Sequence, residues 1–381
     1  MIGCIRSQQM LTKDLLSRAK LLVLKIHNNV ATRKEIAMEQ LYYVGMDIHK
    51  KIIAYCIKKV DGTIVDEGKV AATRNSLSQW VETIPRPWTG AMEATLFTGW
   101  VYDFLRPFAY ALHVGNPLMM KAISAAKRKS DTIDARIIAD LVRCDLLPCC
   151  YMGSQEQRDL RRKLRYRKLM VAQATRMKNR TSTLLMEVGQ EYDKQKLHGA
   201  RYFKALLERL QDVPDSLKEL LQMSRGGLEL FESCQKRLTK ELVTNERLKE
   251  RVQRLMSIDG VGEITALTWA LEIGDVHRFS SISKAVSYCG LCSSQVESAG
   301  KEKRMPLSKQ RNKHLQTSLI EAAKVAPIHN AELEKLYNKE RQRGSNCNQA
   351  TISVARKLVA FLMAVDKSGK EFVRKTEQKA A

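Results

Sequence analysis

The sequence lacks the marks of a membrane-spanning or secreted protein. It contains no run of about 18 apolar residues, so we expect no transmembrane helix and no membrane partner. The apolar stretch 21–26 is short, includes Lys25 and is followed by no small-residue cleavage site, which does not match a signal peptide. Internal repeats and low-complexity tracts are also missing. The 381 residues, 44% apolar and 28% charged, are typical of a globular protein of two or three domains.

The nine cysteines lack the spacing of a metal-binding framework. Cys289 and Cys292 form a single CxxC motif, and neither a second pair nor a histidine at ligand spacing accompanies it. A structural zinc site needs four such ligands, so we expect these cysteines to serve in packing. An odd number of cysteines in a long chain without a secretion signal also indicates reduced thiols and a cytoplasmic location.

Acidic residues are in deficit. The chain has 41 Asp and Glu against 65 Lys and Arg, a net charge of +24. A surplus of this size attracts polyanions, and without a membrane segment it favours nucleic acid as the partner. A generally basic surface with no specific partner is the alternative that charge alone leaves open.

Hydrophobic periodicity divides the chain into four parts. Residues 1–40 have a basic helical pattern and are predicted to form an N-terminal helical extension. Residues 41–153 alternate between strand and helix periods, and three antiparallel strands followed by helix, strand, helix, strand and helix is the element order of an RNase H/RuvC-like α/β domain, one option among several. Residues 154–250 have almost no strand signal and predict a long helical, coiled-coil-like region. Residues 251–381 predict a helical C-terminal domain.

Local signals place several boundaries in the first domain. Asp61-Gly62 is a strong hairpin turn between two predicted strands. Asn75 and Ser76 are candidate caps for a short helix. The apolar positions of residues 131–145 recur at helical spacing and predict an amphipathic helix.

Four acidic residues stand where packing does not explain them. Asp47 ends an apolar strand, as does Glu93, and an unpaired buried charge is costly unless a cation compensates it. Asp131 and Asp134 are three residues apart on one helix and share a face. Carboxylates from two strand ends and one helix can hold two Mg²⁺ ions, which clamp a phosphodiester for in-line displacement. Each acid alone could equally be a cap or a surface charge.

Two glycines in the C-terminal part suggest a contact with DNA. Residues 255–267 read as a helix, a tight glycine turn and a second helix. Gly260 and Gly262 would let the backbone approach a partner, and amides at a helix start favour phosphate. This predicts a helix–hairpin–helix-like element, with an ordinary helical turn as the alternative.

Basic residues elsewhere are candidates for nucleic-acid contacts. Residues 158–180 contain ten basic residues and one acid, which predicts either a solvated structural helix or a dimer helix with a basic side. In the C-terminal part, basic residues surround Ser298, an arrangement that suits a nucleophile facing a phosphate, although composition alone favours a solvated loop serine. The residues singled out for nucleic-acid binding are Lys129, Arg161, Arg162, Arg165, Gly260, Gly262, Lys301 and Lys309.

The motifs of the chain resemble one known family. In order and spacing, segments 44–50, 92–95, 116–117 and 129–135 resemble the N-terminal domain of the DEDD transposases of the IS110 insertion-sequence family. Segment 285–312 resembles the C-terminal transposase domain of that family, although Ala299 and Arg311 stand where the family has glycine. In the N-terminal domain, Leu96-Phe97 stand where the family usually has a glycine shortly after the glutamate.

The resemblance implies a function and a set of site residues. It places the family's RuvC-like, Mg²⁺-binding acids at Asp47, Glu93, Asp131 and Asp134 and the nucleophilic serine at Ser298, with Ser294 as the fallback. It implies a bacterial, nucleoid-associated transposase that cuts and rejoins donor and target DNA through a phosphoserine intermediate. It further implies guidance by an element-encoded RNA, and a dimer or tetramer that combines the acids of one subunit with the serine of another. A two-metal endonuclease of the Holliday-junction-resolvase type and an inactive nucleic-acid-binding relic are the alternatives.

Overall fold

The computed structural model describes residues 41–123, 130–210, 213–298 and 301–373. The predicted extension over residues 1–40 and the candidate contact Lys129 lie outside these ranges. The chain divides between Met152 and Gly153 into two compact units. The predicted combination of an N-terminal sheet with many helices is confirmed: the first unit is α/β and the second is mostly helical.

The first unit is built on a five-stranded mixed sheet. Its order is β3-β2-β1-β4-β5, in which β1, β2 and β3 are antiparallel neighbours and β4 and β5 continue parallel to β1. The predicted Asp61-Gly62 turn joins β2 to β3, and Gly62 has the positive φ of 90° that favours glycine. The strands are β1 Tyr42–Ile48, β2 Ile52–Lys58, β3 Ile64–Ala71, β4 Trp88–Glu93 and β5 Ala111–Gly115.

Four helices accompany this sheet in the described part of the first unit. They are α1 Arg74–Thr83, α2 Thr98–Leu105, α3 Pro117–Ile123 and α4 Asp131–Arg143. The cap predicted at Asn75 or Ser76 was wrong by two residues or more. Thr73 caps α1, because its extended backbone lets its hydroxyl oxygen accept the Ser76 N–H at 3.2 Å.

The two faces of the sheet carry side chains of different size. One face buries large residues, among them Met46, Ile53 and Trp88. On the other face, small residues of the central strands meet small residues of α4, so helix and sheet approach closely. A Cβ atom on Gly45 would lie 2.1 Å from the carbonyl oxygen of Ala135. Gly45 therefore determines where α4 crosses β1.

Two ion pairs fasten α4 to the antiparallel strands. Arg136 donates two hydrogen bonds to Glu67 of β3, one of them 2.6 Å from Nε to Oε2. Lys58 of β2, whose side chain is buried, donates to Asp140 at 2.5 Å. Both pairs join residues more than 60 positions apart in sequence, so the helix is held to β2 and β3 as well as to β1.

The second unit consists mainly of helices. Helices α5 and α7 pack along each other, and Leu164, Ala174 and Leu184 of the predicted apolar seam are buried. Its elements are α5 Gln155–Glu187, α6 Ala200–Arg209, α7 Asp215–Val243, α8 Glu246–Met256, α9 Glu263–Ile273, the 3₁₀ turn Val276–Arg278, α10 Ile282–Tyr288, β6 Ser293–Ser298, β7 Lys301–Leu307, α11 Lys313–His329, α12 Ala331–Gln342 and α13 Cys347–Ser368.

The C-terminal core surrounds α9. Trp269, Leu271 and Ile273 of this helix are fully buried, and α8 and α11 pack against it. The polar stretch after α10 forms the antiparallel hairpin β6–β7, which periodicity did not predict. Within the described ranges, no helix is both long and apolar enough to cross a membrane.

Candidate functional site

Strand alternation brings Asp47 under the start of α4. Gly45 and Asp47 are two residues apart on β1 and lie on the same face of the sheet. Gly45 faces Ala135 and Ala139 of the helix. Asp131 is one turn before Ala135 on the same side of α4, and it therefore lies beside Asp47.

Three side chains meet at this point. Ligand atoms of Asp47, His49 and Asp131 all lie within 4.8 Å of one another. The Nε2 atom of His49 is 3.0 Å from Oδ2 of Asp47 and 3.4 Å from Oδ1 of Asp131. Asp47 is buried, whereas the other two side chains are about half exposed, so the cluster opens to solvent on one side.

A lysine from the third strand reaches the same cluster. The sheet register pairs Asp47 with Ala54 of β2 and Ala54 with Lys69 of β3, which places all three on one face. Nζ of Lys69 lies 3.3 Å from Oδ2 of Asp131. The site therefore combines carboxylates with a histidine and an ammonium group.

The other two predicted acids lie at the same end of the sheet. Asp134 acts electrostatically on Asp47. Glu93 follows Met92, which pairs with Met46, so Glu93 is level with Asp47 on the neighbouring parallel strand. Both residues lie outside the three-residue cluster of donor atoms.

The pKa values of the two clustered aspartates are shifted in opposite directions. Burial raises the pKa of Asp47 above its usual value, and the nearby charges of Asp134 and Asp131 raise it further, against the effect of His49. The hydrogen bond from Lys69 lowers the pKa of Asp131. A bound cation would favour the charged form of Asp47, and carboxylate and imidazole donors at these separations fit a divalent metal ion.

Sequence reasoning missed His49 and Lys69. His49 had a detectable signal, because it lies two residues after Asp47 and extended alternation turns both to one face. Lys69 had none, since its place depends on the register of β3 against β2.

The second unit holds the predicted serine. Ser298 ends β6, and its backbone pairs with that of Lys301 at the start of β7; both side chains lie outside the described ones. Ser294 is exposed, and its hydroxyl donates to the carbonyl oxygen of Pro306 at 3.3 Å. Lys309 is exposed. The structure thus places the serine segment on a hairpin edge, with Lys309 beyond the end of that hairpin.

A buried carboxylate links three helical segments of the second unit. Glu272 accepts two 2.8 Å hydrogen bonds from Arg165 and one of 2.9 Å from Nδ2 of Asn312. Asn312 also caps α11 through its Oδ1 atom. Burial is the largest single effect on Glu272, but these hydrogen bonds and charges outweigh it and lower its pKa. Arg165, predicted to contact nucleic acid, is thus paired with a buried carboxylate, while its own side chain is 45% exposed.

Much of the basic stretch on α5 is paired within the second unit. Arg162 contacts Asp159 at 2.8 Å and Lys163 contacts Glu241 at 2.9 Å. Burial lowers the pKa of Arg161. The count of basic residues therefore overstates the charge that this helix presents to a ligand.

The two glycines of the predicted helix–hairpin–helix element differ in role. Gly260 has φ +86°, and a Cβ there would lie 2.5 Å from Cα of Ala326 in α11. Gly260 therefore lies close to α11 of the same chain, which favours the interpretation of this segment as an ordinary helical turn. Gly262 precedes α9 and has no atom within 4 Å of a Cβ position, so it leaves open space at the helix start.

Comparison with known proteins gives two family matches that together cover well over half of the chain. A DEDD transposase model of the IS110 type matches residues 44–189, and a model of the IS116/IS110/IS902 transposase family matches residues 252–338. Helix α4, which carries Asp131 and Asp134, lies inside the first match, and the β6–β7 hairpin lies inside the second.

Several transposases are similar to this chain over most of its length. The transposase for insertion sequence element IS1111A of Coxiella burnetii is 26% identical over 353 residues, which cover 88% of this chain and 93% of that protein. A probable family 20 transposase of Pseudomonas aeruginosa is 25% identical over 74% of this chain and 82% of its own length. The transposase for element IS1328 of Yersinia enterocolitica is 23% identical over 88% and 99%.

Proposed function

Since the chain belongs to the IS110 family of transposases, we propose that it moves an insertion sequence by cutting and rejoining DNA through a phosphoserine intermediate. The observation that carries the proposal is the convergence of Asp47, His49 and Asp131 at the end of β1. Acids at this end of a mixed sheet, with α4 packed across it, support an RNase H/RuvC-like nuclease domain.

The acidic site would hold Mg²⁺ or a similar divalent ion through Asp47 and Asp131, with Glu93 and Asp134 beside them. When bound, such ions neutralise the charge of a phosphodiester and favour in-line displacement. Asp47 and Asp131 are fixed by the contact of Gly45 with α4, so they orient the scissile phosphate rather than adapt to it. The half-exposed ammonium of Lys69 is close enough to add a positive charge at the phosphate.

The second step of the proposal assigns the nucleophile. Oγ of Ser298 attacks phosphorus, the bond from phosphorus to one deoxyribose oxygen breaks, and the proton lost by the serine is balanced by one gained by that oxygen. The phosphoserine diester conserves the bond, so a hydroxyl of another strand can displace the serine and rejoin DNA. As in the family, the acids and the serine would come from different subunits of a dimer or tetramer.

Nucleic acid would be bound by the exposed basic residues. The net charge of +24 supports binding to donor and target DNA and to an element-encoded guide RNA. Lys309 is exposed beside the hairpin, and Arg162 is exposed on α5 although paired with Asp159. Arg165 is also exposed on α5, with its guanidinium paired to Glu272.

Covalent trapping tests the proposal. The full chain is incubated with the DNA ends of its element, its guide RNA and Mg²⁺, and denatured; a serine-linked protein–DNA adduct is expected. Ser298→Ala should abolish the adduct and strand joining, and the matched control Ser294→Ala should retain both. Loss of the adduct only in Ser294→Ala would move the nucleophile to Ser294.

A metal-dependent endonuclease is the second candidate function. It is favoured by one observation, namely that the acidic cluster is complete within the first unit. Cleavage that persists in Ser298→Ala, with no adduct in the unmodified protein, would establish it. Binding without any cleavage, or cleavage unchanged in Asp47→Ala, would contradict both enzymatic proposals.

A further inference from the structure

We propose that His49 is itself a metal ligand of the acidic site and that its imidazole makes this site prefer Mn²⁺ to Mg²⁺. The inference rests on the proposed function, because it assumes that Asp47 and Asp131 bind a divalent ion. It goes beyond the four carboxylates, since it adds a nitrogen donor that changes the kind of ion selected.

The donor atoms of His49, Asp47 and Asp131 have the separations expected of ligands of one metal ion. Two ligands bound about 2.1 Å from one ion and at right angles are about 3.0 Å from each other. Nε2 of His49 lies 3.0 Å from Oδ2 of Asp47 and 3.4 Å from Oδ1 of Asp131. The three atoms are therefore already spaced like neighbouring ligands of one ion.

The backbone holds His49 in this position. The residue directly follows β1, and its N–H donates to the carbonyl oxygen of Ile52 at 2.9 Å, which closes the turn between β1 and β2. The side chain of His49 is 52% exposed, so an ion can reach Nε2 from solvent. His49 therefore needs no rearrangement of the sheet to bind an ion.

Ligand chemistry predicts the consequence. Mg²⁺ strongly favours oxygen donors and keeps its waters, whereas imidazole suits borderline transition metals. Mn²⁺ accepts carboxylates as Mg²⁺ does and binds nitrogen more readily. A site of two aspartates and one histidine should thus discriminate between these ions more than a site of carboxylates alone.

A competing interpretation makes the opposite prediction. If His49 were an imidazolium that merely pairs with Asp47 and Asp131, it would compete with the ion, and its removal would tighten metal binding. If His49 is a ligand, its removal weakens binding, and more for Mn²⁺ than for Mg²⁺. The sign of the change separates the two roles.

The experiment uses the whole chain without nucleic acid. Mn²⁺ is titrated by electron paramagnetic resonance, Mg²⁺ is measured by competition, and electron spin echo modulation detects a nitrogen bound to Mn²⁺. We expect a nitrogen signal in the unmodified protein and in the control His277→Ala, a surface histidine of the second unit. In His49→Ala the nitrogen signal should disappear, and Mn²⁺ affinity should fall about tenfold against about twofold or less for Mg²⁺.

The outcomes separate this inference from the function on which it rests. Suppose that Mn²⁺ binds and that Asp47→Ala abolishes this binding. If the unmodified protein then gives no nitrogen signal, or if His49→Ala leaves the ratio of Mn²⁺ to Mg²⁺ affinity unchanged, the histidine is not a ligand. If Mn²⁺ does not bind, or binds equally to Asp47→Ala, the acidic site itself is refuted. The nitrogen signal of the unmodified protein tests the inference even if a variant fails to fold.

Discussion

Gly45 and Ala135 touch so closely that a single methyl group between them has no room: a Cβ on Gly45 would lie 2.1 Å from the carbonyl oxygen of Ala135 and 2.3 Å from the amide nitrogen of Ala139. Both obstructing atoms belong to the backbone of α4, so no side-chain rotation can relieve the clash. The same contact sets Asp131 beside Asp47. One absent side chain thus controls both the packing of the first unit and the geometry of its acids.

Gly45→Ala should therefore destabilise the first unit and weaken binding of a divalent ion at the proposed metal site. We expect a loss of about 3 kcal/mol in the free energy of unfolding, at the upper end for overpacked cores. Urea titration followed by tryptophan fluorescence measures it, because three of the four tryptophans lie in this unit. The control Gly226→Ala, in α7 with no atom within 4 Å of the new Cβ, should be neutral or stabilising by about 0.5–1 kcal/mol. Equal effects of the two substitutions would contradict the assigned contact.

Lys69→Gln should tighten the binding of divalent ions. The ammonium of Lys69 lies 3.3 Å from Asp131 and competes with an ion for that carboxylate. Because both side chains are about half exposed, the pair is worth about 0.2–1 kcal/mol, which corresponds to a gain of up to about fivefold. Mn²⁺ titration measures it. Lys51→Gln, which removes a nearby exposed lysine, serves as the control, and weaker binding in Lys69→Gln would show that the lysine supports the site instead.

The second unit should lose stability in acid through Glu272. Its pKa is lowered in the folded protein, so its contribution is fully present above the unfolded value near 4.5 and is lost as the pH falls below that value through the folded pKa. Glu272→Gln should remove this acid dependence and cost about 1–3 kcal/mol at pH 7, since it weakens the charge-assisted hydrogen bonds from Arg165, whose half-exposed guanidinium stays hydrated.

Circular dichroism during urea unfolding at pH 7 and pH 4 checks this prediction. Arg162→Gln is the control, because its ion pair with Asp159 is exposed and should contribute less than about 1 kcal/mol. A Glu272→Gln variant that keeps the full acid dependence of the unmodified protein would show that other carboxylates are responsible.

Nucleic-acid binding should depend less on cations held in ion pairs than on other exposed cations. The affinity for DNA should fall by orders of magnitude between about 50 and 200 mM salt, if many Lys and Arg residues contact phosphate. Lys309→Gln should weaken binding and reduce the salt slope by about 1. Lys163→Gln, whose ammonium pairs with Glu241 at 2.9 Å, should leave the slope nearly unchanged. Fluorescence anisotropy over a salt series measures both, and a flat salt response would exclude the basic surface as the main contact.

The sequence by itself determined the local elements of the first unit and the residues that define its family. Alternating apolar residues marked the strands, the Asp61-Gly62 turn fixed one hairpin, and helical spacing revealed α4. These signals are local, because period and turn chemistry act over a few residues. The acids were visible for the same reason, since a charge at the end of an apolar strand has no local explanation.

Tertiary structure alone decided which of these residues meet and which charges are free. Lys69 reaches Asp131 through the register of three strands, and the exposed Arg165 is paired with the buried Glu272, 107 residues away. The close approach of Gly260 is to Ala326, 66 residues further along the chain. Such pairings depend on contacts between distant segments, and the pattern of a single segment carries no information about the atoms that another segment places against it.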